Sequence, residues 1–500
     1  MTSSSSKANT PQVKRSSNVA ILYLLEDDFM KPDGNTLRPH YDLIVIGAGI
    51  AGLGVAAITA KEAGLRVLVL DRFPKVGGRM MSYGGYPAEG WRIDIGLHMV
   101  ELGEKASCTE LNARVGKTVE WAPFSQTVDI WNGERFINVA ELVPMTKEDK
   151  KAFAEMLTGI AGMSDTEIEA WDNRCLEEWL TEKVPQPAVR ELFSDLGMIM
   201  TTIPKAIDMA AGEVLYIARD NLRKTRQVLQ ASYPMDGLEG ITRGLVEVIK
   251  EKGGEIRLNC DVQEVIVENK KAIGVRVPAK KHLYQEEYRM PETETLYADR
   301  VVCALPIYKL SRVLDFNPES SPLPRWWLKR ITDIQQEITG LIGFMLGLSE
   351  PVVDPGKRCF LTALKTKYAG FPFQGFPASN FSDRVAPSGK QVLHTDIVVE
   401  HAQASDKFQR EQLLNLLWED LKEMFPGIEE KVEWKLPYYV DGCDGLARQP
   451  GLVGNFKPGL QAPGIPNLYF AGDTYQGRGL AINSAARSAM LCADLILTTL

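Results

Sequence analysis

Apolar positions in this chain gather into short unbroken runs, set apart by glycine turns and longer amphipathic stretches. Leu43 to Ile46 is one such run. Four apolar residues without alternation predict a strand buried on both faces of a parallel sheet. Ile50 to Ala63 reads as a helix stopped by Gly64, and Val67 to Leu70 as a second buried strand ending at Asp71. An amphipathic helix is predicted from about Leu238 to Lys252, ended by Gly253 and Gly254, with β-rich segments after it. "ADRVVCALP" reads as a strand ended by Pro306, Gly340 to Leu348 as a buried strand, and Leu468 to Ala471 as a strand leading to a helix near Ala481. "KEDKKAFAEMLTGIAGM", "CLEEWLTEKV" and "AVRELFSDLGMIMTTI" carry helical patterning. The methionines between Leu196 and Met209 are read first as helical core and second as an adaptable pocket lining.

The first strand, turn and helix have a chemical meaning. Gly47, Gly49 and Gly52 form GxGxxG between strand and helix. In that pattern the first glycine makes the turn, the second lets a pyrophosphate approach the backbone, and the third lets helix and strand pack closely. The helix N-terminus, with Ile50 and Ala51 in its first turn, offers free N–H groups and a positive dipole end to phosphate. An acid about 20 residues on, here Asp71 with Arg72 beside it, suits ribose hydroxyls. The combination predicts a bound dinucleotide.

Composition narrows the class further. The chain has 500 residues, 45% hydrophobic and 24% charged, with a formal net charge of −8, which argues against a general nucleic-acid binder. No apolar run approaches the roughly 20 residues of a bilayer-spanning helix. Seven scattered cysteines and five scattered histidines give neither a disulfide framework nor a metal ligand set. The first 40 residues are Ser-rich and basic at their start and read as a flexible tail, with a transit-type leader as the other reading. The location expected is cytoplasmic, with peripheral membrane contact and organellar targeting kept open. "PLPRWWLKRI" is the stretch that raises membrane contact, because Trp326 and Trp327 lie between cations; an ordinary helix burying one Trp is the alternative.

"DRFPKVGGRM" decides between a nicotinamide and a flavin. Gly77, Gly78 and Arg79 resemble the glycine–glycine–arginine motif of the FAD-dependent amine oxidase and phytoene desaturase superfamily, where the arginine region lies beside the pyrophosphate and ribityl chain. "IDIGLHMV" continues the resemblance, and implies that Asp94, Gly96, Leu97 and His98 run past the isoalloxazine ring. The stretch "YPMDGLEGI" to "GVRV" resembles the phytoene dehydrogenase-like branch, and implies a backbone contact to adenine near Val262. "FAGDTYQGRGLAIN" is similar to the family's terminal block and to that of protoporphyrinogen oxidases. It implies Gly472 and Asp473 at the ribityl chain and pyrophosphate, and backbone N–H groups of Ala481 and Ile482 at the flavin N1–C2=O edge, where reduction puts negative charge.

The resemblance implies an α/β fold, a Rossmann-type FAD-binding domain with an interleaved α+β substrate domain. Residues 41–104, 232–310 and 463–500 are expected to form the first, and 105–231 and 311–462 the second, helix-rich in its first part. The expected cofactor is FAD. The expected function is hydride transfer between flavin N5 and a small apolar substrate, an isoprenoid, polyene or ring, as desaturase, saturase or isomerase. A flavin oxidase of the protoporphyrinogen or amine type is the alternative. An activated C–H needs no nucleophile, so no catalytic acid is assigned; His98, Tyr475 and Arg478 are candidates by position, the last two either polarising a substrate or closing their loop.

Overall fold

In the computed structural model, the described residues are 40–96, 99–125, 128–279, 293–443 and 445–500, and they form one unit. Its first layer is a parallel sheet of β1 (Leu43–Ile46), β2 (Val67–Leu70), β3 (Glu255–Arg257), β4 (Val301–Cys303) and β5 (Leu468–Phe470). The strand order is β3-β2-β1-β4-β5, with Ile44 paired to Leu68 on one side and to Val301 on the other, and Val301 to Leu468. Every residue of β1, β2, β4 and β5 is buried, which is why these segments read as unbroken apolar runs. In this order the connection reverses between β1 and β4, and ligands of such sheets bind at the carboxyl ends of the strands there.

Three helices cover one face. α1 (Ile50–Ala63) is buried without interruption from Ile50 to Ala60. It has no polar stripe because it packs between α2 (Glu239–Glu251) and α3 (Ala481–Leu497) and on β1 and β2. α2 is half-exposed and buries Ile241, Thr242, Leu245, Val248 and Ile249, the spacing of one helical face. Gly54 lets α1 come close to its neighbours: a Cβ there would stand 2.9 Å from Leu111 and 3.0 Å from Ala489 of α3. The helix Ser107–Arg114, which carries Leu111, thus packs with this layer, past the boundary expected at residue 104.

The second layer is a seven-stranded sheet. Its order is Val432–Val440, Thr339–Leu348, Gln391–Glu400, Phe373–Phe376, Phe360–Ala363, Val128–Trp131 and Phe136–Asn138. Only the Phe360–Ala363 pairing with Val128–Trp131 is parallel. One face packs on the helix Lys407–Met424 through Ile342, Phe344, Leu346, Leu393, Ile397 and Leu417. A helical cluster, with Lys147–Gly162, Pro187–Thr201 and Ala211–Thr225 its longest members, packs around Trp171, Trp179, Phe193 and Leu196. Met198, Met200 and Met209 are buried in that core, so the first reading of the methionines holds. Trp327 is buried and stacks on Phe470 at 5.5 Å, while Trp326 is 64% exposed.

Candidate functional site

The carboxyl end of β1 organises the site. After Ile46, Gly47 donates its N–H to Leu70 O at 2.7 Å and Ala48 donates to Asp71 Oδ2 at 2.7 Å. Asp71 Oδ1 accepts from Phe73 N–H at 2.9 Å. Burial raises the pKa of Asp71, and the N–H groups of Phe73 and Ala48 work against that shift. Arg72 is exposed and lies over the Phe73 ring, 4.7 Å from its centre. The chain leaving β3 runs along this acid, with Cys260 donating to Asp71 O at 2.8 Å; Val262, buried, follows two residues later.

Two glycine segments meet here. Gly77 donates to Ala48 O at 2.9 Å, and Gly49 pairs with Gly77 as an isolated bridge. Gly78 has φ +60°, and a Cβ on it would lie 3.2 Å from the Gly49 Cα. Gly52 is fixed by contact: a Cβ there would stand 1.9 Å from Gly47 O. A methyl on Gly49, by contrast, meets nothing nearer than the Gly78 Cα at 4.0 Å. Neither α1 nor α3 has a side-chain cap or an acid in its first turn. The edge therefore presents uncapped N–H groups beside open space, a donor set that fits a pyrophosphate.

The carboxyl-terminal block closes on the amino-terminal one. Arg79 Nη2 donates to Asp473 Oδ1 at 2.6 Å, and Nη1 donates to the carbonyls of Gly442 and Cys443 at 2.9 and 3.0 Å. Gly96 packs on the same residue, its Cβ position 2.4 Å from Arg79 O. Gly472 donates to Ser488 Oγ at 3.1 Å. Ala481 opens α3 with φ +40°, in the left-handed region that a side chain disfavours, and Ile482 behind it is buried. Leu97 and His98 lie outside the described residues.

The two candidates of the terminal loop are held elsewhere. Tyr475 is fully buried, donates its hydroxyl to Leu305 O at 3.0 Å and stacks on Phe470 at 5.1 Å. Arg478 forms a bidentate ion pair with Asp172, Nη1 to Oδ1 at 3.0 Å, and reaches Glu213 at 3.4 Å. Glu213 also accepts from Gly479 N–H at 3.1 Å. These contacts tie the loop to Leu305, Asp172 and Glu213.

Lys457 carries no local signal, and the motif that names Asp94 does not show its partners. Lys457 is buried and donates to Asp473 O at 3.0 Å, Gly477 O at 3.2 Å and Ser484 Oγ at 3.1 Å, so one amine ties the loop to α3. Burial lowers its pKa. Asp94 is buried and accepts from Ser82, from Tyr233 at 2.5 Å and from Leu238 N–H at 3.1 Å, which fixes the start of α2. A metal centre is not among these features: the described residues contain no cluster of three or more His, Cys, Asp or Glu able to hold an ion.

The family model for flavin containing amine oxidoreductases matches residues 50–497. The chain belongs to this family. It is an FAD-dependent oxidoreductase. Among curated relatives, the chloroplastic prolycopene isomerase of Daucus carota is 23% identical over 91% of this chain and 80% of its own. Human all-trans-retinol 13,14-reductase is 38% identical over a shorter stretch, 19% of this chain and 15% of its own. A solved oxidoreductase from Methanosarcina mazei shares the fold, with TM-score 0.70 and 21% identity over 90% of this chain and 99% of its own.

Proposed function

We propose that this flavoenzyme transfers hydride to or from an apolar isoprenoid or polyene, as a desaturase, saturase or isomerase. FAD would be held by Gly47, Gly49, Ile50, Ala51, Gly52, Gly77, Gly78, Arg79, Gly472 and Asp473 along its phosphates and ribityl chain. Asp71, Arg72 and Val262 would hold its adenosine half, and Gly96, Ala481 and Ile482 would lie at the ring. When bound, FAD supplies a two-electron acceptor or donor at N5. The chain's part is to press a substrate C–H against that position, exclude water and stabilise charge with the start of α3. The domain division is proposed with it: the parallel-sheet layer for the cofactor, and the helical cluster and seven-stranded sheet for the substrate.

One observation carries the substrate class. The face of the seven-stranded sheet away from the helix Lys407–Met424 is mainly apolar, and part of its edge stays accessible. Trp434, Leu436 and Tyr438 of the edge strand are only partly buried, and Met99, Met235 and Leu480 are partly buried on the helical core's rim. The carrot and human relatives are named for a carotenoid and a retinoid. The purified protein is expected to carry FAD. Under anaerobic conditions a polyene substrate should bleach the oxidised flavin, or reoxidise the reduced one, and amines or porphyrinogens should not; turnover of an amine with oxygen uptake would replace this reading by the oxidase one.

No helix of the described residues is long and apolar enough to cross a membrane. Peripheral contact through Trp326 is proposed in a weaker form than its sequence suggests. Two of the neighbouring cations are paired, Arg325 with Glu319 at 2.8 Å and Lys329 with Asp333 at 2.7 Å, and Arg330 donates to the carbonyls of Gly451 and Phe456, so less positive charge faces anionic lipid than the sequence suggests. Trp326→Ala should reduce co-sedimentation with neutral phosphatidylcholine vesicles; no change would remove the helix Arg325–Ile334 as the contact.

A further inference from the structure

One cation of the terminal block is buried without a carboxylate to match it. Lys457, in the segment ahead of β5, is 8% exposed. Its Nζ meets three neutral oxygens, Asp473 O, Gly477 O and Ser484 Oγ, and among the described residues it forms no ion pair. Two of these acceptors are carbonyls. The third, Ser484, directs its own hydroxyl hydrogen to Gly477 O at 3.4 Å, so it accepts from the lysine. Three acceptors use all three hydrogens of an ammonium, whereas a neutral amine would turn its lone pair on an oxygen. The contacts therefore hold the charged form against burial, which pulls the other way.

The acids near Lys457 already have partners. Asp473 gives its carboxylate to Arg79 at 2.6 Å, and Glu213 gives its own to Arg478 and to the Gly479 N–H, at 3.4 and 3.1 Å. Arg448 and Arg478 bring further positive charge to the same place and oppose that of the lysine. Glu101 lies against Asn483 of α3, whose amide donates to its main-chain carbonyl at 3.0 Å. Burial pushes the Glu101 carboxyl up to about 7, so at pH 6 it is mostly protonated. Lys457 thus leaves a surplus of positive charge inside this block.

That charge lies where a helix is already positive. Ser484 is the fourth residue of α3, about 4.5 Å along the axis from Ala481. The first turn of α3 has neither a side-chain cap nor an acid. A cation beside the start of a helix is unfavourable, because the helix presents its own positive end there. Two positive sources without a fixed anion between them suit a partner whose charge changes. The oxidised isoalloxazine is neutral, and reduction puts negative charge on its N1–C2=O edge, proposed above to face Ala481 and Ile482.

We infer that Lys457 is a positioning residue whose buried ammonium, acting with the start of α3, makes bound FAD easier to reduce. This rests on the placement of the ring at α3 proposed above, and adds to it the residue that sets the flavin's potential.

The test is the midpoint potential of bound FAD at pH 6, read against a reference dye, with the affinity for oxidised FAD measured beside it. Lys457→Gln keeps an amide donor for the carbonyls and removes the charge. It should lower the potential by about 30 mV, a tenfold loss in the preference for reduced over oxidised FAD. Lys457→Met should lower it as far, and Lys457→Arg, which keeps the charge, should restore most of the preference. A purely structural lysine predicts a shift in Lys457→Met and none in Lys457→Gln, and that result overturns the inference. So does a wild-type potential below that of free FAD at the same pH, which needs no variant. Ala481→Asp places a carboxylate at the helix start and should also lower the potential. If it changes neither potential nor FAD affinity, the ring lies elsewhere, and the placement at α3 falls together with the inference. If Ala481→Asp lowers the potential and Lys457→Gln does not, the inference falls alone.

Discussion

Burial lifts the carboxyl of Glu101 from an ordinary 4.5 to about 7, with Asn221 donating to it and opposing the shift. The native pKa is above the unfolded one, so between these values the native state keeps a proton that the unfolded chain has released. Stability from this group is therefore full below pH 4.5 and is lost as pH rises through 7, by about 3 kcal/mol in all. Glu101→Gln keeps an acceptor for Asn221 and removes the titration. Urea unfolding should show the variant gaining on the wild type between pH 5 and pH 8; an equal difference at both pH values would refute it. Gly52 is the opposite case, a residue legible from its spacing. Gly52→Ala places a methyl 1.9 Å from Gly47 O, and both bound FAD and thermal stability should drop together. The contrast explains what a local pattern can show. GxGxxG records a backbone constraint set by neighbours in sequence. The hub at Asp94 depends on Tyr233, 139 residues away, and Lys457 acts on backbone carbonyls, which leave no trace in side-chain type.

At the scale of elements, α1, β1 and β2 were readable to the residue because each is buried on every side or stopped by a glycine. The seven-stranded sheet was readable only at Thr339–Leu348, a ten-residue strand next to its edge. Val128–Trp131 has four residues, and its parallel partner Phe360–Ala363 lies more than two hundred positions on, so neither periodicity nor a turn announces the pair. The loop between β5 and α3 shows how elements are joined by charge. Arg478 links it to Asp172 and Glu213, both 1% exposed at the side chain. Removing one member of a buried ion-paired set leaves charges without compensation, at about 3–5 kcal/mol. Arg478→Met should destabilise by that amount in chemical denaturation and lower FAD occupancy. Loss of stability with full FAD retention would instead mean that the loop holds its shape without the clamp. Ala481 gives the converse test: at φ +40°, Ala481→Gly should stabilise the holoprotein by about 1 kcal/mol in the same assay.

Among the described residues, the block that begins at β1 and the block that ends in α3 close on each other. β5 and α3 come from the last residues of the chain, yet β5 completes the sheet begun by β1, and α3 covers the α1 face. Their joint is the pair Arg79–Asp473, side chains 394 positions apart. Both members were legible as motif residues; that they bind each other was not, because each motif reads as a ligand contact and their mutual attraction arises only once the sheet is assembled. A ligand lying across this joint stabilises both ends at once. Bound at about 100 times its dissociation constant, it adds about 2.7 kcal/mol to unfolding. Wild-type protein stripped of FAD should regain that stability when FAD is returned, seen as a concentration-dependent rise in Tm. In Arg79→Met the uncompensated Asp473 carboxylate stands where phosphate is proposed to lie, and the carbonyls of Gly442 and Cys443 lose their donor. The variant should have a lower Tm that responds weakly or not at all to FAD over the same range. If its Tm rises in parallel with the wild type, Arg79 is a strut between the ends, and the phosphates are held by the uncapped start of α1 alone.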